Sequence, residues 1–243
     1  MKKITVIATF SACVLCVACG VSNKAVKRMQ LMEEGVSSPT TIEEYEAAIK
    51  KYERRIADIT LAQQQVGIWY KIVGARYLDN NMFGEALKAY QAAIQYFPDN
   101  QNLYYYVGLC AGYLSHTALD YDATGDAGVK RYNYLKLSEQ AYLRAIAIEP
   151  RYVRALYGLG VLYVHELDES SKAIPILETL LTVDTGHIDA MFVLAHAYYD
   201  AAEYDKAIAL YDRIIARTKN AERKATAEAN RAMVAREAAT DIF

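Results

Sequence analysis

The residues of this chain that could do chemistry are few and scattered. Four cysteines stand at 13, 16, 19 and 110, and three of them fall within the first 19 residues, so the remainder holds no disulfide framework. Three thiols crowded into a leader have one clear use, which is attachment. Of the four histidines, only His165 and His196 are candidates to meet, with Asp200 one turn beyond His196. A metal site would need three such ligands at fixed geometry, and groove histidines are the expectation. Asp120, Asp122, Thr124, Gly125 and Asp126 are spaced like the start of a calcium loop, but Arg131 stands where the twelfth position needs a bidentate Glu. An acidic surface loop is expected there. No Ser, His and Asp set, phosphate-binding glycine loop or paired-cysteine motif occurs at usable spacing, so the residues offer no case for catalysis and imply no cofactor or metal.

The elements that position these residues are organised around Gly67 to Asn100. Two apolar runs at helical spacing flank a polar break at Asp79 to Met82, and Pro98 closes the second run, which predicts a helix hairpin. Gly74 and Ala86 let the helices cross closely, and Tyr70, Val73, Tyr77, Phe83 and Tyr90 supply apolar bulk around the crossing. With Gly67 as position 1, Tyr70, Val73, Gly74, Tyr77, Ala86, Tyr90, Ala93 and Pro98 occupy positions 4, 7, 8, 11, 20, 24, 27 and 32. In this spacing the segment resembles the tetratricopeptide repeat.

The same numbering carries into three further segments. Repeat two starts at Gln101 with Tyr104, Val107 and Gly108 and ends with Tyr142, Ala145 and Pro150, running 18 residues longer than the pattern, with the insertion near 112–134. Ala111 and Ser138 depart from it. Repeat three (153–187) carries Leu156, Leu159, Gly160, Tyr163, Ala173, Leu177 and Leu180, one extra residue near Asp168, and Pro175, expected in the first turn of its second helix. Repeat four (188–221) carries Met191, Leu194, Ala195, Tyr198, Ala207, Tyr211 and Ile214, with Lys219 in place of the closing Pro. Before them, Thr41 and Glu44 form a capping box, and 41–66 is expected to be a half repeat with a helix to Thr60 that closes one end of the stack. After them, 222–243 is expected to be a solvating helical cap. The fold class is therefore all-α, which the resemblance specifies as an antiparallel helix-hairpin solenoid wound as a right-handed superhelix.

Family geometry puts positions 2, 5, 9, 12 and 13 on the concave side. Carried over, the partner-binding groove comprises Lys71, Leu78, Asn102, Tyr105, Leu109 and Tyr113 from the first two repeats. Repeats three and four add Arg154, Tyr157, Val161, His165, Phe192, His196 and Tyr199. Ile68, Ala75, Asp79, Gly112, Val164, Asp189 and Asp200 share these positions. Such an aromatic, sparsely charged surface suits a partner helix or an extended peptide. The carboxylate clamp of the family's chaperone-tail receptors is absent, since Lys71 is in place but Ala75 stands where Asn is needed.

With 53% hydrophobic residues, 4 Pro and 12 Gly, the chain is expected to be mainly folded. Its opening places Lys2 and Lys3 before an uncharged apolar run from Ile4 to Ala18, too short to span a membrane stably and laid out as a secretory signal over 1–18. Val17, Ala18, Cys19 and Gly20 resemble the bacterial lipobox, with Cys16 where Leu is usual, a relaxation that spirochaete lipoproteins tolerate. The resemblance implies lipidation of Cys19, a tether over 19–40, and a chain held on the bilayer of a bacterial envelope, on its periplasmic side. An uncleaved anchor and a plain signal cut after Ala18 are the alternatives. Loss of residues 1–18 removes two of the 27 Lys and Arg and none of the 29 Asp and Glu, giving a net charge of −4 and no footprint for nucleic acid. The function expected is a membrane-anchored scaffold for another protein or peptide. The alternative is a periplasmic helper of a solute transporter, pairing with a substrate-binding protein or holding a hydrophobic small ligand.

Overall fold

The computed structural model describes residues 40–120 and 127–240. The leader, Cys19 with its proposed lipid, the tether up to residue 39, and the acidic run at 121–126 lie outside the described residues. Among the described residues there are nine helices and no strand: α1 (Ile42–Asp79), α2 (Phe83–Ile94), α3 (Gln101–Asp120), α4 (Ala127–Ile148), α5 (Val153–His165), α6 (Ser170–Val183), α7 (Ile188–Asp200), α8 (Tyr204–Arg217) and α9 (Ala221–Thr240). They belong to two compact units that divide between Asp58 and Ile59.

In the first unit, Thr41 caps α1 as its sequence predicts. The Thr41 hydroxyl accepts from the Glu44 N–H at 3.2 Å, and the Glu44 carboxylate accepts from the N–H groups of Thr40 and Thr41 at 2.7 and 3.2 Å. Those backbone bonds hold the Glu44 carboxyl below the usual carboxylate range. The expected break between a half repeat ending at Thr60 and a hairpin starting at Gly67 does not occur, since α1 runs unbroken for 38 residues. Neither Gly nor Pro interrupts residues 42–66, and the apolar positions Ile42, Tyr45, Ile49, Tyr52, Ile56 and Ile59 keep recurring at three or four residues.

In the second unit, each helix from α2 to α9 packs on the next in sequence, and α3, α5 and α7, the first helices of repeats two to four, also pack side by side. This is a stack of antiparallel hairpins. Within each of the first three hairpins the glycine at position 8 receives the side chain of the facing helix. A Cβ on Gly74 would sit 3.0 Å from the Tyr90 ring, one on Gly108 2.7 Å from the Tyr142 ring, and one on Gly160 2.5 Å from Leu177. The Ser138 departure is accommodated in the same seam: its buried hydroxyl donates to the Gly108 carbonyl at 2.8 Å, so a small polar residue stands in for Ala without an unpaired group. Cys110 is fully buried in the core shared by α2, α3 and α4, and burial pushes its thiol up to about 12.

The structure departs from the repeat pattern at three further points. The insertion of repeat two goes at least partly into its helices, which reach 20 residues in α3 and 22 in α4. Helix α6 begins at Ser170, so Pro175 lies beyond the first turn and removes an internal hydrogen bond from the helix. Tyr70 and Val73, expected to be apolar bulk at the crossing, remain 38% and 37% exposed.

The hairpin turns of repeats one, three and four each place one residue in the left-handed region: Asn81 at φ 58°, Asp168 at 54° and Ala202 at 56°. Alanine is the costliest of the three there. Ala202→Gly is expected to raise stability by about 0.5–1 kcal/mol, read as a higher denaturant midpoint at unchanged slope. Gly160→Leu, forced against Leu177, is expected to lower it by about 1–3 kcal/mol. Unchanged midpoints in both variants would contradict this packing.

Candidate functional site: a groove with two pockets

Helices α3, α5 and α7 carry most of the groove positions, and their side chains gather around two concavities. The first, of about 200 Å³, lies between α3, α4 and α5 and is mostly apolar. Leu109, Tyr113 and Val161 line it, as do Gly112 and Gly158, whose missing side chains make room over Ser138 and Tyr142. Tyr142 is held by the glycines on both sides, since a Cβ at Gly108 or Gly158 would come within 2.7 Å of its ring. Gly112 is different: a Cβ there would meet only the Ser138 hydroxyl, at 3.9 Å. The polar rim is organised by Glu166, whose carboxylate takes Arg131 at 2.8 Å and His116 at 3.3 Å. Tyr113 stacks on Phe83 with ring centroids 4.3 Å apart, so α2 braces the exposed edge.

The second concavity, of about 340 Å³, is lined by His165, Phe192, His196 and Tyr199 together with Tyr211, Asn230 and Met233. His165 and His196 do come together, with ring centroids 5.4 Å apart, and His196 Nε2 stands 3.5 Å from Asp200. Among the described residues, however, no three His, Cys, Asp or Glu side chains are placed to hold a metal ion. Asn230 and Met233 come from α9, so the helix expected to be a solvating cap also walls the end of the groove. Nothing in the repeat pattern could have shown this, because α9 lies outside it.

The remaining groove positions are partly committed to the fold. Lys71 Nζ lies 5.3 Å over the Phe97 ring, and Leu78 packs against the core shared by α2, α3 and α4. Asn102 accepts a hydrogen bond from the Tyr152 hydroxyl at 2.7 Å. Tyr105 is half-buried among Tyr106, Tyr142 and Tyr152, and burial raises its hydroxyl above the ordinary range. The exposed Arg154 faces Tyr152 and Tyr106. Tyr157 stacks obliquely on His187 at 5.0 Å, and Phe192 meets Tyr211 edge-on at 6.2 Å. The Tyr199 hydroxyl donates to Glu237 of α9 at 3.1 Å. Val164, placed on the concave side by family geometry, is buried instead.

Burial, and then the neighbouring His196, hold the His165 imidazole below its ordinary value, against a smaller opposing pull from Glu166 and Asp200. The unfolded chain therefore takes up a proton here at a higher pH than the native one. Stability from this residue is complete above about pH 6.5 and is lost as pH falls through the lower folded value. His165→Gln should shrink the drop in melting temperature between about pH 7.5 and 5.5. Identical drops in both proteins would remove His165 as its source.

Comparison with known proteins agrees with this architecture. Sequence models of the tetratricopeptide repeat match residues 74–111 and 167–230. A TPR repeat-containing protein of Borreliella burgdorferi is 22% identical over 203 residues, which cover 84% of this chain and 85% of the relative. Among solved structures, a thermophilic TPR protein of Thermus thermophilus superposes with a TM-score of 0.52 at 18% identity, covering 79% of this chain and 91% of its own. YrrB, a TPR protein with an unusual peptide-binding site, gives 0.52 at 17% identity over 84% of this chain and 87% of its own. At such identities the structural likenesses concern the fold alone. The described residues thus form an all-helical stack of hairpins, and tetratricopeptide repeats are matched in it at residues 74–111 and 167–230.

Proposed function

We propose that this protein is a scaffold that binds a segment of another protein along the groove of α3, α5 and α7, and that a lipid on Cys19 holds it to a membrane of the bacterial envelope. Among the described residues no helix is long and apolar enough to cross a membrane, so the anchor in this reading belongs to the leader and its cysteine. Tetratricopeptide folds commonly bind protein or peptide partners, and YrrB has a peptide-binding site, which supports the reading by analogy of fold.

The observation that carries the proposal is the glycine-floored pocket between α3, α4 and α5. Its volume of about 200 Å³ accepts one bulky apolar side chain, whereas drug-sized ligands usually occupy about 300–1,000 Å³. A peptide anchor therefore suits this pocket better than a small molecule does, whereas the second concavity, at about 340 Å³, has the size for the hydrophobic ligand of the transporter-helper alternative. Binding, not catalysis, is the activity proposed.

Gly112→Leu separates binding from folding. The new Cβ makes only an ordinary contact with the Ser138 hydroxyl at 3.9 Å, and the side chain replaces a helix-interior glycine that lines the pocket. Selection of displayed random peptides on the wild-type protein is expected to enrich sequences with a bulky apolar residue. Gly112→Leu should bind the selected peptides at least about tenfold more weakly, the loss of one buried anchor, while melting no lower. Equal binding by both proteins would rule out this pocket as the anchor site.

A further inference from the structure

The first hairpin is finished differently from those that follow. At positions 3, 7 and 10 of repeat two, Leu103, Val107 and Cys110 are at most 4% exposed, and so are their counterparts in repeats three and four, because each of these repeats stacks on the hairpin before it. In repeat one the same positions hold Trp69, Val73 and Arg76, and Trp69 is 60% exposed. Ile59, Val66 and Tyr70 extend this open face along α1. From Ile59 to Ala75 the helix carries a single charge, Lys71. A stacking face this apolar and this bare is one that a partner normally covers.

We propose that this face docks on the same face of a second copy of the chain, the two α1 helices crossing antiparallel about a two-fold axis that passes between Gln64 and Gln65. Ile59, Val66 and Val73 recur every seven residues, with Gln63 and Tyr70 between them, so two such helices can interdigitate. In the antiparallel register Ile59 meets Tyr70 of the second copy, and Gln63 meets Val66. Trp69, the bulkiest side chain, falls opposite Thr60, a much smaller one. The match in size follows from the symmetry, since every contact occurs twice. The open face amounts to about 500 Å² per copy, or about 1,000 Å² in all, the size at which specific interfaces begin. No like charges are brought together along its centre. The surface is separate from the groove, so this interface and partner capture stand or fall independently.

Trp69 is the only tryptophan of the chain, so its emission reports directly on this face. Sedimentation of the full chain is expected to show twice the monomer mass at micromolar concentration, with Trp69 emission shifting to the red as dilution returns the monomer. Trp69→Glu should raise the dissociation constant about 30-fold or more, as loss of a central aromatic anchor does. Leu61→Glu, on another side of α1 and also exposed, should leave it unchanged. A monomer at all concentrations overturns the proposal, whether Trp69 emits as exposed or as covered by the chain's own residues. So does a dimer that survives Trp69→Glu, or one lost equally in Leu61→Glu, since association would then arise from another surface.

Discussion

Everything in the stacked unit depends on the close approach of two helices where one of them has no side chain. Gly74, Gly108 and Gly160 each leave a socket that Tyr90, Tyr142 or Leu177 fills from the facing helix. The socket sets the crossing distance, and the crossing distance sets how far the first helix of each repeat projects beside its neighbours. Repeat four manages with Ala195 in that place, still a side chain small enough for Tyr211 to pack nearby. Because interiors are close-packed, a mismatch of even one methyl group here is transmitted along the stack.

The groove is a consequence of that seam. Tyr142 is pinned from two sides, by Gly108 within its own hairpin and by Gly158 of the next, and its ring becomes part of the floor of the middle pocket. The same residue thus joins two repeats and shapes the binding surface above them. Rim chemistry is supplied from the lengthened α4 through Arg131, which with His116 of α3 meets Glu166. A longer hairpin in repeat two therefore widens the wall of the groove at its middle, where the repeat pattern alone would give no side chains.

Much of this was legible in the sequence because the repeat pattern records burial directly. The paired helices α5 to α8 fall where Leu159, Gly160, Ala173, Leu194 and Ala207 place them, since each of those residues is needed at one packed position. What escaped were features governed by no such position. Helix α1 continues because nothing between Thr41 and Val66 stops it, and the absence of a stop signal is weaker to read than its presence. Asn230 and Met233 enter the second pocket from outside the repeats, and Glu166 lies just past the end of α5, where pattern gives way to turn geometry. Of the groove positions, Leu109, Tyr113, Val161, His165, Phe192, His196 and Tyr199 line the two pockets, whereas Lys71, Asn102 and Tyr105 spend part of their chemistry on Phe97, Tyr152 and the surrounding tyrosines. Position within a repeat specifies which way a side chain leaves its helix, and the neighbours that then claim it come from other repeats.

Cys110 shows what the packing does to reactivity. A thiol held in its protonated form and sealed in the core of α2, α3 and α4 is a poor nucleophile and a poor target for oxidants, because both reactions proceed through an accessible thiolate. The core thereby insulates a lone sulfur from disulfide exchange without the help of a second cysteine. Its modification must wait for that core to open, so the rate at which an alkylating reagent captures it is a clock for the parting of α3 from its neighbours.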